Sequence, residues 1–382
     1  MLGNLKPTSH VALATRAGDV TWKQLTEQVA DHAKSFESFH GKRIALLLAP
    51  TPESLSKLLA CHLAGVHVFL MAQDTPAEQA TSWGKRFGLA AIFDSSDEVR
   101  AVDDASQTGD SNAITILTSG TTGEPKAVQH TWESLTRPVR PMDEEHSIWL
   151  LTYRPHLYAG LQVMMQCLLN QGCLVMTQPG DTADEVATLA ANKSVEYASA
   201  TPSYWRWLLT FASDESLGNM SLKQITLGGE AVDQATLDAL HRKFPSTRLV
   251  HIYATTELGR CFSVTDGLAG FPSKFLNEVS KDGVEMKIDD GELVVRSANA
   301  MSGYDQSEIA SPKQDWFHTG DLVSVEADRV FFVGRKTDMI NVGGNKVYPL
   351  EVETVIRTVT GVADVRVYGE ASSILGLSLI HI

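Results

Sequence analysis

Cysteine is scarce. The four in 382 residues, Cys61, Cys167, Cys173 and Cys261, share no close paired spacing such as CxxC. That argues against a disulfide framework or a zinc knuckle and fits a reducing compartment. Long basic runs are missing too: 32 Lys and Arg against 46 Asp and Glu leave a formal net charge of -14, so neither nucleic acid nor an anionic membrane is an expected partner. No stretch reaches the about 18 consecutive apolar residues that a bilayer span requires, and Met1 to His10 lacks the basic and apolar regions of a signal peptide. The expected location is the cytoplasm. What is present is an ordinary folded composition, 43% hydrophobic and 20% charged, with length for two or three units of about 150 residues each.

Local patterning gives the class. Arg43 to Leu48 is an apolar run; Thr51-Pro52-Glu53 then supplies a cap, a first-turn proline and an acidic first turn ahead of Leu55, Leu58, Leu59 and Leu63 at helical spacing. A second apolar run, Val66 to Met71, completes a strand, helix, strand unit of the kind that builds buried parallel sheets. Thr75-Pro76 restarts a helix before Ala90 to Phe93. The alternation returns in Val195 to Ala200, a helix from Pro202, Gln224 to Leu227, a helix from Asp233, and Leu249 to Tyr253. After about residue 285 the texture changes to short alternating runs, Gly291 to Ser297 and Arg329 to Val333, which read as a sheet-rich piece. Pro349 to Ile356 is a proline-led amphipathic helix opening a further small unit. The fold class is therefore α/β: a large N-terminal domain of α/β subdomains plus a sheet-rich subdomain, followed by the start of a small α+β C-terminal domain.

The sharpest chemical feature is Thr118-Ser-Gly-Thr-Thr-Gly-Glu-Pro-Lys126, after the apolar run Ala113 to Leu117. Hydroxyl and N–H donors on a glycine-rich loop, with a lysine at its end, can converge on phosphate oxygens. The spacing Gly120-x-x-Gly123-x-x-Lys126 does not match the GxxxxGK[ST] pattern of a P-loop kinase or ATPase. A Ser/Thr/Gly surface turn has the same composition.

That string closely resembles the phosphate-loop signature of the adenylate-forming superfamily: acyl-CoA synthetases, peptide-synthetase adenylation domains and luciferases. Gly228-Gly-Glu230, Tyr253-Ala-Thr-Thr-Glu257, Gly303-Tyr304, Trp316-Phe-His-Thr-Gly-Asp321 and Gly334-Arg-Lys-Thr-Asp-Met-Ile340 follow in family order. The resemblance spans nearly the whole chain. It implies ATP-dependent activation of a small carboxylic acid through an acyl-adenylate, with magnesium, then transfer to the thiol of coenzyme A or of a phosphopantetheine carrier protein. By the same resemblance Thr118, Ser119, Gly120, Thr121, Thr122, Gly123 and Lys126 wrap the outer phosphates. Glu257, with Thr256 beside it, is the magnesium-associated glutamate. Gly228, Gly229 and Glu230 border the adenine, with Tyr253 also at the nucleotide; Asp321 binds the ribose hydroxyls, supported by Arg335; and His156 lies by the acyl and α-phosphate site. Residues 1–334 become an AMP-binding N-terminal domain, its sheet-rich subdomain at about 285–334, and 335–382 the hinge and a truncated C-terminal domain. Thr337 stands at the pivot and Gly344 near the thiol-bearing arm.

Departures are few. Ala127 and Ala254 replace usual glycines, and the chain stops before the family's second catalytic lysine, on the unexplained apolar residues Leu377 to Ile382. The reading expected from this is a truncated frame that binds nucleotide but adenylates poorly. No aspartate lies in Tyr153 to His156 to hold a substrate ammonium group, which favours an acyl or aryl acid over an amino acid, with Tyr204, Trp205 and Trp207 near its pocket. Two alternatives remain: an enzyme loading an acyl carrier protein, and a catalytically silent nucleotide-binding remnant.

Overall fold

Strand–helix–strand units, expected from residue 43 onward, are what the chain forms. The computed structural model describes residues 5–94, 99–102, 108–118, 125–142, 146–305, 315–342, 345–359, 361–372 and 376–381. Thr51 caps the helix Pro52–Leu63 through a hydrogen bond from Ser54 N, and the flanking strands Arg43–Leu48 and His67–Ala72 pair in parallel. Asp233 caps Gln234–Lys243 and Thr201 caps Pro202–Phe211. In each case a side-chain oxygen satisfies one of the N–H groups that a helix start leaves unpaired.

Two large sheets result. One runs, in spatial order, Gly303–Tyr304, Lys126–Thr131, Ala113–Thr118, His67–Ala72, Arg43–Leu48, Ala91–Phe93, Val99–Ala101. The other runs Gly259–Val264, Arg248–Thr255, Gln224–Gly228, Tyr197–Ala200, Ile148–Leu151, Cys173–Met176, Val11–Ala14, Asp19–Thr21. Inner strands are parallel and the outermost ones antiparallel. Side chains alternate between faces, so Ile44, Leu46 and Leu48 enter one apolar cluster while Ala45 and Leu47 enter another. The first cluster also takes Leu13, Trp149 and Leu174 from the second sheet, with Leu25, Leu58, Leu161 and Met164 from helices. The two sheets thus share a helical middle layer. Tyr158–Leu169, apolar almost all round and largely buried, belongs to that layer.

A third sheet is wholly antiparallel: Phe271–Pro272, Arg329–Arg335, Phe317–Glu326, Glu292–Ser297, Val284–Asp289. It is the sheet-rich piece expected after residue 285, and it reaches back to Phe271. Past it, Lys336–Asp338 is a single 3-10 turn, followed by a short hairpin and the helix Pro349–Arg357. No described helix is long and apolar enough to cross a membrane.

Candidate active site

The parallel strands deliver chemistry at their carboxyl ends, where successive loops fan apart into crevices. Gly228 ends one such strand, and the next residue, Gly229, has φ +86, a left-handed conformation that favours glycine. Glu230 turns back to accept hydrogen bonds from Ser203 N (3.0 Å) and Ser203 Oγ (2.7 Å), joining this turn to the start of Pro202–Phe211. Gly229 and Glu230 border a cavity of about 920 Å³ whose wall also includes Tyr253, Asp321, Arg335 and Arg357.

Asp321 and Arg335 face each other across adjacent antiparallel strands. Arg335 Nε donates to Asp321 Oδ1 at 2.9 Å, and Tyr253 Oη donates to Oδ2 at 2.6 Å. Asp321 is 7% exposed. Burial, and then the Asp321 charge, pushes the Tyr253 phenol well above its usual value, which keeps it protonated as a donor. Burial pulls the Arg335 guanidinium down, but the Asp321 carboxylate outweighs it and holds that pKa above normal.

Glu257 sits in the three-residue turn joining Arg248–Thr255 to Gly259–Val264, where Thr255 pairs with Gly259. Gly259 has φ +72, and a Cβ there would lie 2.9 Å from the Asn299 carbonyl, so glycine is required. Tyr304 Oη donates to Glu257 Oε1 at 3.2 Å. Lys126 Nζ lies 5.7 Å from the centroid of the same tyrosine ring. Thr256 presents its carbonyl 2.6 Å from His130 Nε2; a carbonyl only accepts, so this nitrogen carries the hydrogen.

His156 lies elsewhere, in a second cavity of about 540 Å³ with Asp74, Thr152, Tyr153, Tyr204 and Trp207. Burial, then the positive Arg154, lowers its pKa to about 4, so the imidazole is neutral at pH 7. Tyr153 links the two cavities: it lines the second, and its hydroxyl donates to Gly228 O at 3.1 Å, next to the first.

The structure therefore brings Gly228, Gly229, Glu230, Tyr253, Asp321 and Arg335 together, and separately joins Lys126 to Glu257 through Tyr304. Thr118 and Lys126 are paired residues of one hairpin. Ser119, Gly120, Thr121, Thr122, Gly123 and Gly344 lie outside the described residues. Sequence reasoning missed the partners that do the holding. Tyr304 was visible as part of a motif, but its contacts with Glu257 and Lys126 were not. The Arg43–Asp305 ion pair spans 262 positions and leaves no local signal.

Among the described residues no group of three or more His, Cys, Asp or Glu side chains could cage a metal ion. A lone carboxylate such as Glu257 suits magnesium, which takes one or two protein carboxylates and completes its shell with water and substrate phosphates.

More than half of the chain, residues 85–305, matches the sequence profile of the family described as AMP-binding enzyme. The chain belongs to that family. The chain is similar to the 2-succinylbenzoate–CoA ligase of Staphylococcus epidermidis, 22% identical over an alignment covering 93% of this chain and 81% of that protein. The long-chain-fatty-acid–CoA ligase FadD13 of Mycobacterium tuberculosis is 27% identical over 78% of this chain and 62% of that protein. Among solved structures, the o-succinylbenzoate CoA synthetase MenE of Bacillus subtilis, in complex with the acyl-adenylate intermediate OSB-AMP, superposes with a TM-score of 0.72 at 20% identity, covering all of this chain and 86% of that one. Its mixed α/β fold agrees with the class expected above. This AMP-binding chain is an AMP-forming acid–thiol ligase, an enzyme that activates a carboxylic acid with ATP as an acyl-adenylate and transfers it to a thiol.

Proposed function

We propose that the 920 Å³ cavity takes the nucleoside of ATP, that Lys126 and Glu257 serve its phosphates, and that the 540 Å³ cavity takes the acid. The observation that carries this reading is Asp321. It is a buried carboxylate held from two sides by Tyr253 and Arg335, yet each of its oxygens keeps a second lone pair for a ribose hydroxyl. The Gly229–Glu230 turn offers backbone against which a flat base can lie.

The chemistry asks little of a base. A carboxylic acid is already ionised at neutral pH. Its oxygen attacks the α-phosphorus, the bond from that phosphorus to the bridging oxygen breaks, and pyrophosphate leaves with the electron pair. The residues must hold two anions in line and offset phosphate charge. Lys126 supplies one positive charge. Glu257 would hold a magnesium ion, which when bound neutralises phosphate oxygens and orients them. His156, neutral because of its burial, can donate a hydrogen bond to an acid or phosphoryl oxygen without delivering a proton. We place the hinge at Arg335 to Asp338, between residues 1–334 and the C-terminal unit.

The thiol acceptor is coenzyme A rather than a carrier protein, in line with the CoA ligases among the relatives. The Tyr204 and Trp207 rings, 5.1 Å apart beside the second cavity, favour a compact aryl acid. Exchange of labelled pyrophosphate into ATP, measured across aryl, dicarboxylic, fatty and amino acids, tests this. Exchange should be strongest with an aryl acid and weakest with amino acids. Binding of ATP without exchange on any acid would defeat the reading.

A further inference from the structure

Residues 301–305 cross between the two halves of the phosphate side of the site. Met301 N donates to Glu257 O at 2.8 Å, Ser302 N to Gln129 O at 2.7 Å, and Asp305 N to Ala127 O at 2.8 Å. The segment is stitched at one end to the Glu257 turn and at the other to the strand that begins at Lys126. Within it Tyr304 pairs with Val128 on that strand. A largely buried ion pair pins the far end: Arg43 meets the Asp305 carboxylate at 3.0 and 3.1 Å, and the Asp305 side chain is 4% exposed.

A main chain fastened at so many points leaves its tyrosine little freedom, and that tyrosine touches both charged groups. Its hydroxyl meets the Glu257 carboxylate and its ring meets the Lys126 ammonium. A lysine and a glutamate that close on each other neutralise both charges, and neither then serves a ligand. A phenol between them prevents this while engaging each by a different contact, a hydrogen bond for the anion and the ring face for the cation.

We propose that Tyr304 is a positioning residue for Mg-ATP: its hydroxyl orients Glu257 toward the metal, and its ring holds the Lys126 ammonium apart from that carboxylate and available to phosphate. This rests on the assignment of Lys126 and Glu257 above. Neither contact involves the bond that breaks, so both act on binding rather than on the chemical step.

The test is calorimetric titration of ATP into the 382-residue chain, with a magnesium series and with EDTA, alongside thermal melting. Tyr304→Phe keeps the ring and removes the hydroxyl. The magnesium concentration giving half-maximal enhancement of ATP binding should rise about three- to tenfold, as expected for the loss of a hydrogen bond of ordinary net strength, while affinity in EDTA stays within about twofold. Tyr304→Leu should also weaken ATP binding in EDTA, by about two- to fivefold from the lost ring contact. A tyrosine that only packs would lower the melting temperature and leave the magnesium midpoint in place. An unmoved midpoint in Tyr304→Phe, or an equal loss in EDTA, overturns the proposal. Should Tyr304→Leu fail to fold, Tyr304→Phe still decides. If the unsubstituted chain takes up no Mg-ATP, the nucleotide site itself is refuted; if it does and Tyr304→Phe shows the same magnesium midpoint, the role of Tyr304 alone is lost.

Discussion

His156 shows how one side chain's surroundings set both its chemistry and its cost. Burial, followed by the Arg154 charge, brings its pKa from 6.5 to about 4. The unfolded chain therefore binds a proton that the folded chain refuses, and stability present above pH 6.5 is lost as pH falls toward 4. By linkage this single histidine removes on the order of 1–2 kcal/mol at pH 5. His67, buried beside Thr115 and likewise lowered to about 4 by burial and then by Arg43, adds a similar loss. Urea midpoints should fall between pH 7 and pH 5, and His156→Gln should fall less. An identical drop in the variant would contradict the burial account. Single-residue identities such as Asp321 and Glu257 were legible in the sequence because their motifs are short and local. What fastens them was not, because Tyr253 and Asp321 meet across 68 positions.

At the scale of elements, the turn carrying Glu257 depends on Gly259. Gly259 and Gly291 share a left-handed backbone, with φ +72 and +76, but a Cβ at Gly259 meets the Asn299 carbonyl at 2.9 Å whereas Gly291 has nothing within 4 Å. Gly291→Ala should cost about 1 kcal/mol of strain alone. Gly259→Ala should cost about 2–3 kcal/mol, and weaken Mg-ATP binding as well by displacing Glu257. Equal denaturation midpoints for the two would show that the close contact is unimportant. Helices with proline-led starts, such as Pro52–Leu63 and Pro202–Phe211, could be read directly from their caps. Trp22–Ser35 escaped notice although Thr21 and Gln24 form a full capping box, because the helix is mostly polar and buries only Trp22, Leu25 and Val29. Val195 and Glu196, expected in a strand, precede it, and the strand is Tyr197–Ala200.

For the whole molecule, the C-terminal helix is tied down by charge. Arg357, its last residue, reaches Asp364 at 3.2 Å and Asp233 at 3.8 Å, while Arg206 reaches the same two aspartates at 3.1 and 3.4 Å. Both arginines and Asp233 are at most 10% exposed, so salt screens this cluster less than a surface pair. Arg206 also donates to Ser203 Oγ at 2.8 Å, and Ser203 is the residue that holds Glu230 in place. Arg357→Ala should therefore speed amide hydrogen exchange across residues 345–372 several-fold while leaving the strands of the two large sheets protected. Uniform acceleration throughout, or none, would show that the cluster is not what holds this helix. Nothing in the local pattern announced the cluster, since its members come from three separate segments.

The two-residue strand Gly303–Tyr304 has one more consequence. Among the described residues it is the last rung of its sheet, and it lies along Lys126–Thr131 on the side away from Ala113–Thr118. Uncovered, that side is a row of backbone donors and acceptors on which another molecule's strand could lie, the usual start of aggregation. The stretch that presents Tyr304 to the site is thus also a guard against self-association. A chain that loosens it stands to lose its solubility along with its grip on the nucleotide.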